Sequence, residues 1–192
     1  MNILKLIKER RTIRKYKNKN IPDRIINQIL EGARWAPSSH NLQPWNFVVV
    51  RNRESKEKLV FTLKNPAVNI LGPIKFLIKK NAEIIQQSTL VILVYNSCIF
   101  SKKVKDLGAM YFVNAHTSEI ESIAAAIENM HLVAAFLGIG MAWLAMPLFV
   151  EKEITKLFNL QGELMAILTF GYPAEKGKHA TRKLISEIVT YI

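Results

Sequence analysis

Arg10-Arg11-Thr12-Ile13-Arg14 places three guanidiniums and a hydroxyl within five residues, a set that can enclose a phosphate through forked, charge-assisted hydrogen bonds. Taken alone, the pentapeptide is accounted for more readily as a solvated basic turn. The second group is Ala36-Pro37-Ser38-Ser39-His40-Asn41-Leu42-Gln43-Pro44-Trp45. Its two prolines stiffen the segment, while Ser38, Ser39, Asn41 and Gln43 offer short neutral donors and acceptors. Such a loop suits the edge of a flat heterocycle or a polyol chain. A rigid connection whose polar groups only cap backbone explains it equally well.

Other chemistries lack their residues. His40, His116, His131 and His179 lie far apart and none has metal-ligand spacing, so no metal site is expected. His131 falls in an apolar run and reads as a satisfied interior or interface histidine. Cys98 is the single cysteine and has no base beside it, so it reads as an inert thiol. It excludes a disulfide framework and fits a reducing, cytoplasmic setting. No GxSxG, Walker A or GxGxxG motif occurs, and Gly138-Ile139-Gly140 lacks the third glycine of a dinucleotide fingerprint.

The chain has 192 residues and a formal net charge of +12, which calls for an anionic partner. The charge is uneven: eight Lys/Arg and one acid fall in the first twenty residues, with a second basic cluster at Lys176, Lys178, Arg182 and Lys183. A nucleic-acid-binding module is one reading of that excess. Against it, Trp35, Trp45 and Phe47 are not interleaved with the basic run as a base-stacking surface requires. The N-terminal stretch interleaves charges with apolar residues, unlike a signal peptide. Ile123 to Met146 is long and apolar but contains Glu128, Asn129 and His131, which favours a buried helix over a membrane span.

These residues need elements to hold them. Asn2 caps a first helix with Ile3, Leu6 and Ile7 on one face, and Pro22-Asp23 opens a second that Pro37 stops. Strands are expected at Phe47–Val50, Leu90–Tyr95 and Met165–Phe170, with a short strand or extended link at Trp143–Met146. Helices are expected at Glu54–Leu63 and Glu151–Phe158. Asn65 to Asn81 reads as irregular at its start (Pro66, Gly72, Pro73) and Lys-rich at its end, a candidate mobile excursion. Ser118-Glu119-Ile120-Glu121 matches a capping box and is expected to open the long apolar helix, ending near Gly138 or Gly140. Gly171 to Ile192 is a long tail whose apolar end, Ile188, Val189, Tyr191 and Ile192, should pair with something. No repeat or linker is visible, so residues 1–192 are expected to form one α+β domain.

Combined, these segments resemble the nitroreductase family of FMN enzymes. The likeness rests on Glu9 to Arg14, the 36–45 loop, Ala126-Ile127-Glu128-Asn129 running to Leu137-Gly138-Ile139-Gly140, Gly171-Tyr172-Pro173-Ala174-Glu175, and Arg182-Lys183. It is weakest between about Asn52 and Ser118. The resemblance implies a three-layer α-β-α sandwich with a mostly antiparallel central sheet. It further implies a homodimer, with the long helix at the interface, the C-terminal tail exchanged with the partner as an added strand, and two FMN sites shared between subunits.

Carried over by position, Arg10, Arg11, Thr12 and Arg14 match the arginine-rich FMN motif, with threonine in place of the usual serine, and Arg182 joins them at the phosphate. Pro37, Ser38, Ser39, Asn41 and Gln43 match the loop presented to the flavin by the partner. Leu144, Ala145 and Met146 match the segment near the ring, where apolar side chains leave hydrogen bonding to backbone amides. The implied activity is electron transfer from NADH or NADPH to a nitroaromatic, quinone or similar small acceptor, in ping-pong order, with no catalytic side chain. Reductive dehalogenation, flavin destruction or a specialised dehydrogenase on the same fold remain open beside it.

Overall fold

The computed structural model describes residues 2–192. Its centre is β2 (Leu90–Asn96), in which every residue is buried. β1 (Trp45–Val50), β3 (Gly140–Leu144) and β4 (Glu163–Gly171) complete a sheet of order β1-β2-β4-β3, and all three pairings are antiparallel. Alternation along β2 sends Leu90, Ile92 and Val94 to one face, and Val91, Leu93 and Tyr95 to the other.

The first face is covered by α2 (Asp23–Arg34) and α6 (Ala109–Phe136), through Ile26, Ile29 and Ala33 against Ile123, Ile127 and Met130. The second is covered by α3 (Arg53–Lys64), α4 (Gly72–Gln87) and α7 (Glu151–Phe158), through Leu59, Leu63, Ile78, Ile85 and Ile154. This is the expected three-layer sandwich. Two short helices complete the chain: α1 (Ile3–Glu9) touches α6 lightly, and α5 (Ile99–Val104) packs against it.

Two expectations are corrected. The 65–81 stretch is irregular only as far as Leu71; α4 then runs from Gly72, and Pro73 sits in its first turn, where a missing N–H costs nothing. The long helix begins nine residues before Ser118, after Gly108 with φ +117. Ser118 therefore caps nothing: its hydroxyl donates back to the Ala115 carbonyl at 2.8 Å. Glu119 turns inward to cap α5 instead. The helix ends as expected, at Phe136 just before Gly138, whose φ is +75.

Beyond Pro173 the tail holds only a short 3-10 turn, Ile185–Glu187. Leu184, Ile185, Ile188, Val189, Tyr191 and Ile192 are exposed and form no strand within this chain. Exposed apolar residues also line the first turns of α6, at Met110, Tyr111, Phe112 and Val113. Among the described residues, no helix is long and apolar enough to cross a membrane.

Candidate functional site

The arginine segment leaves α1 and runs along the outer edge of β3. Thr12 forms a parallel bridge with Met141, and Ile13 N–H donates to the Met141 carbonyl at 2.9 Å. Gly140 is what admits it: a Cβ there would lie 2.7 Å from the Ile13 Cβ. On its other side the segment is tied to residues 172–175. Lys17 N–H donates to the Tyr172 carbonyl at 2.8 Å, Ala174 N–H to the Lys15 carbonyl at 2.9 Å, and Arg14 N–H to Glu175 Oε1 at 2.7 Å. Tyr16 pins the segment to the sheet: its hydroxyl donates to the Ile13 carbonyl at 2.6 Å and meets Thr169 Oγ1 at 2.7 Å. Burial pushes the Tyr16 phenol well above its ordinary range, so it remains a neutral hydrogen-bonding group.

A cavity of about 280 Å³ opens here, lined by Arg10, Arg11, Ile13, Gly140, Glu175 and Lys176 among others. Arg10 Nη1 lies 3.3 Å from His131 Nδ1 and 3.2 Å from its Nε2, and Arg10 Nε lies 3.5 Å from Glu128 Oε1. Arg11 donates to the Lys8 and Arg10 carbonyls and meets His179 Nδ1 at 2.7 Å. The Nε atoms of both arginines are buried and have no hydrogen-bond partner among the described residues. Arg14 is exposed. Arg182 is exposed too and donates only to the nearby Thr181 and Ala180 carbonyls, so no hydrogen bond joins it to the first cluster.

The Pro37–Gln43 loop stands elsewhere. Ser38 Oγ accepts from Gln43 N–H at 3.1 Å, Gln43 Nε2 donates to Asn41 Oδ1 at 3.1 Å, and Ser39 N–H donates to Ser122 Oγ of α6 at 3.1 Å. His40, Asn41 and Gln43 all have positive φ, so the loop's shape depends on its own hydrogen bonds and on this anchor. It precedes Trp45, which pairs with Asn96, which in turn pairs with Glu163. The arginine segment lies at the opposite end of the strands, beside Gly140 and Gly171. A strand's length, roughly 20 Å or more, separates the two groups within one chain. Leu144, Ala145 and Met146 lie at the far end of β3 from the arginines, about 14 Å along the same edge strand.

The arrangement is thus a cleft lined by Arg10, Arg11 and Lys176 with Glu9 and Glu175, and a polar loop, built on one sheet but at different ends. A family model described as the nitroreductase family matches residues 7–172, which include both groups. The chain belongs to the nitroreductase family. A relative from Methanothermobacter thermautotrophicus, provisionally named NADH dehydrogenase/NAD(P)H nitroreductase, is 31% identical over 179 residues, 91% of this chain and 79% of its own. An iodotyrosine deiodinase of Thermotoga neapolitana is 27% identical over 193 residues, 97% of either chain. A solved structure, a provisionally assigned nitroreductase from Desulfovibrio desulfuricans in complex with FMN, superposes with a TM-score of 0.78 at 22% identity, over 100% of this chain and 97% of that one. That last likeness shows the fold. Membership in the nitroreductase family makes this chain an oxidoreductase.

In this nitroreductase-family chain, the residues that shape the arginine cleft and escape a local reading are Tyr16, Glu128, His131 and His179. Nothing in the sequence marks them as partners of the arginines, because 121 positions separate Arg10 from His131 and 168 separate Arg11 from His179. Cys98 matches its reading: burial and the carboxylates of Glu119 and Glu163 push its thiol pKa up, away from the reactive thiolate.

His131 has a consequence for stability. Burial, then the Arg10 charge, push its pKa down to about 4 from an ordinary 6.5. The folded protein therefore binds fewer protons than the unfolded chain between these values. The stabilising contribution is complete above about pH 6.5 and is lost as pH falls to about 4, by up to roughly 3 kcal/mol. Urea unfolding at pH 7, 5.5 and 4.5 should show His131→Leu losing less stability on acidification than the parent protein. Equal acid slopes would show that His131 does not titrate in this way.

Proposed function

We propose that the protein is an FMN-dependent oxidoreductase that moves electrons from NADH or NADPH to a nitroaromatic, quinone or similar small acceptor, working as a homodimer. The observation that carries this reading is the buried, unpartnered Nε of Arg11, with the buried Nε of Arg10 met only by Glu128 Oε1 at 3.5 Å, beside a cavity large enough for a phosphate and part of a polyol chain. Orphaned buried donors are costly, and an anionic group in the cleft would meet them. The FMN printed for the Desulfovibrio desulfuricans neighbour agrees with that chemistry.

In this reading Arg10, Arg11 and Thr12 hold the phosphate, with Arg14 at the rim and Arg182 able to close over it from the exposed tail. Leu144, Ala145 and Met146 flank the ring, and the outer edge of β3 beyond Met141, unpaired among the described residues, offers backbone groups there. Pro37, Ser38, Ser39, Asn41 and Gln43 reach the ring from a second copy. Their distance from the arginines in one chain, and the exposed apolar residues of α6 and the tail, support a dimer. When bound, FMN would supply the redox chemistry between the reduced nicotinamide and the acceptor, in ping-pong order on this reading. The protein's part is to bind and orient, and to set positive charge near developing negative charge. The single cysteine fits a reducing, cytoplasmic setting.

Purified protein should be yellow or should take up one FMN per chain, and NADH or NADPH should bleach it anaerobically. A colourless protein that does not quench added FMN would overturn the assignment. The similarity to an iodotyrosine deiodinase across both chain lengths favours reductive dehalogenation as a second reading. Turnover with nitroaromatics and quinones against iodotyrosine separates the two.

A further inference from the structure

Arg10 is unusual among the cleft arginines in what holds it. Its guanidinium lies against two side chains of α6, Glu128 and His131, which are three residues apart and so share one helix face. His131 is 5% exposed, while the Glu128 side chain is about half exposed. The His131 ring is placed by a second contact, Nε2 to the Arg11 carbonyl at 3.4 Å. A neutral ring meets both neighbours when Nε2–H donates to the Arg11 carbonyl and Arg10 Nη1, nearly equidistant from the two ring nitrogens, lies over the ring face. Among the described residues, no hydrogen bond occupies Arg10 Nη2, and Nε has only the 3.5 Å contact to Glu128 Oε1.

We propose that His131 and Glu128 are positioning residues for Arg10, holding its guanidinium so that its remaining N–H donors face the phosphate of the cofactor. This rests on the FMN reading given above. A free arginine side chain has many rotamers to lose on binding an anion, and a helix-mounted clamp removes that loss in advance. The chemical choice of clamp matters. A buried carboxylate in close contact would cancel the arginine's charge before the phosphate arrived. A neutral imidazole seats the guanidinium on its ring and leaves the full positive charge available. Glu128, longer in contact and open to water, is screened. The low pKa of His131 agrees, since the ring stays neutral through the physiological range.

The test compares FMN with riboflavin, which lacks the phosphate. Dissociation constants for both are measured by fluorescence quenching on the parent protein, Arg10→Ala, His131→Leu, His131→Gln and Glu128→Ala. Arg10→Ala should weaken FMN strongly and leave riboflavin unchanged; if it spares FMN, the phosphate reading of Arg10 fails and takes the clamp with it. Given that loss, His131→Leu should weaken FMN about tenfold with riboflavin unchanged. His131→Gln, which keeps one acceptor and one donor, should restore binding to within about threefold. Glu128→Ala, at a half-exposed site where folding is not at risk, should weaken FMN a few-fold. Parental FMN affinity in both His131→Leu and Glu128→Ala, or equal losses for FMN and riboflavin, overturns the clamp. Should His131→Leu fail to fold, His131→Gln and Glu128→Ala decide: parental affinity in Glu128→Ala then overturns it.

Discussion

Replacing Glu119 by alanine is expected to lower the thermal midpoint by about 6–20 °C, from a loss of roughly 3–5 kcal/mol. Glu119 is 1% exposed, on the inner face of α6. Its Oε1 accepts from Phe100 N–H at 2.7 Å and Ser101 N–H at 3.2 Å, and its Oε2 from Ser101 Oγ at 2.7 Å and Asn96 Nδ2 at 3.2 Å. One side chain therefore serves the first turn of α5, whose own N-terminal residue Cys98 makes no side-chain cap, and the buried amide at the end of β2. Removing it strands two backbone donors, a hydroxyl and an amide where water does not reach, each costing about 1–3 kcal/mol if left unmet. Glu119→Gln retains one oxygen acceptor and should lose roughly half as much. Calorimetry or thermal circular dichroism on the three proteins checks this. A midpoint for the alanine variant within 2–3 °C of the parent would mean that water or a neighbour replaces the carboxylate.

Gly140→Ala should strike the cleft itself. The added methyl would lie 2.7 Å from both Cβ and Cγ2 of Ile13 and 2.9 Å from Cγ1. Ile13 branches at the clashing atom, so rotating the side chain does not relieve the contact. The backbone must move, yet it is held by the Ile13 N–H to Met141 bond. The expected cost is about 1–3 kcal/mol. On the proposed reading of the cleft, FMN affinity should fall by about tenfold or more, because Arg11, Thr12 and Arg14 shift with Ile13. Gly72→Ala is the control: nothing lies within 4 Å of its added methyl, at the start of α4. It should leave both stability and FMN affinity nearly unchanged. Parental FMN affinity in a folded Gly140→Ala protein would break the link between this close approach and the cleft.

What could be read from the chain alone follows from how far each signal reaches. Glu151–Phe158 has a local amphipathic pattern and forms α7 with those limits. The β-branched runs become the strands for the same reason. The capping-box reading failed at Ser118 because Glu119 answers to Phe100 and Ser101, eighteen or more residues back, rather than to its own helix. Gly72-Pro73 reads as irregular chain because a first-turn proline looks, residue by residue, like a break. The arginine pentapeptide and the Ser38–Gln43 loop were visible as chemistry. Their placement at opposite strand ends, and the seating of Arg10 on His131, come only from the sheet's long-range pairing.

The segment that carries the arginines is held almost wholly by residues that come much later in the chain: Met141, Thr169, Tyr172 and Glu175. During synthesis it leaves the ribosome well ahead of its holders, which emerge more than 120 positions later. Until β4 and the start of the tail are made, the basic run is exposed, unstructured and free to attract any polyanion nearby, ribosomal RNA included. The shape of the arginine cleft therefore waits on β4 and the residues after it, although the arginines themselves are translated long before.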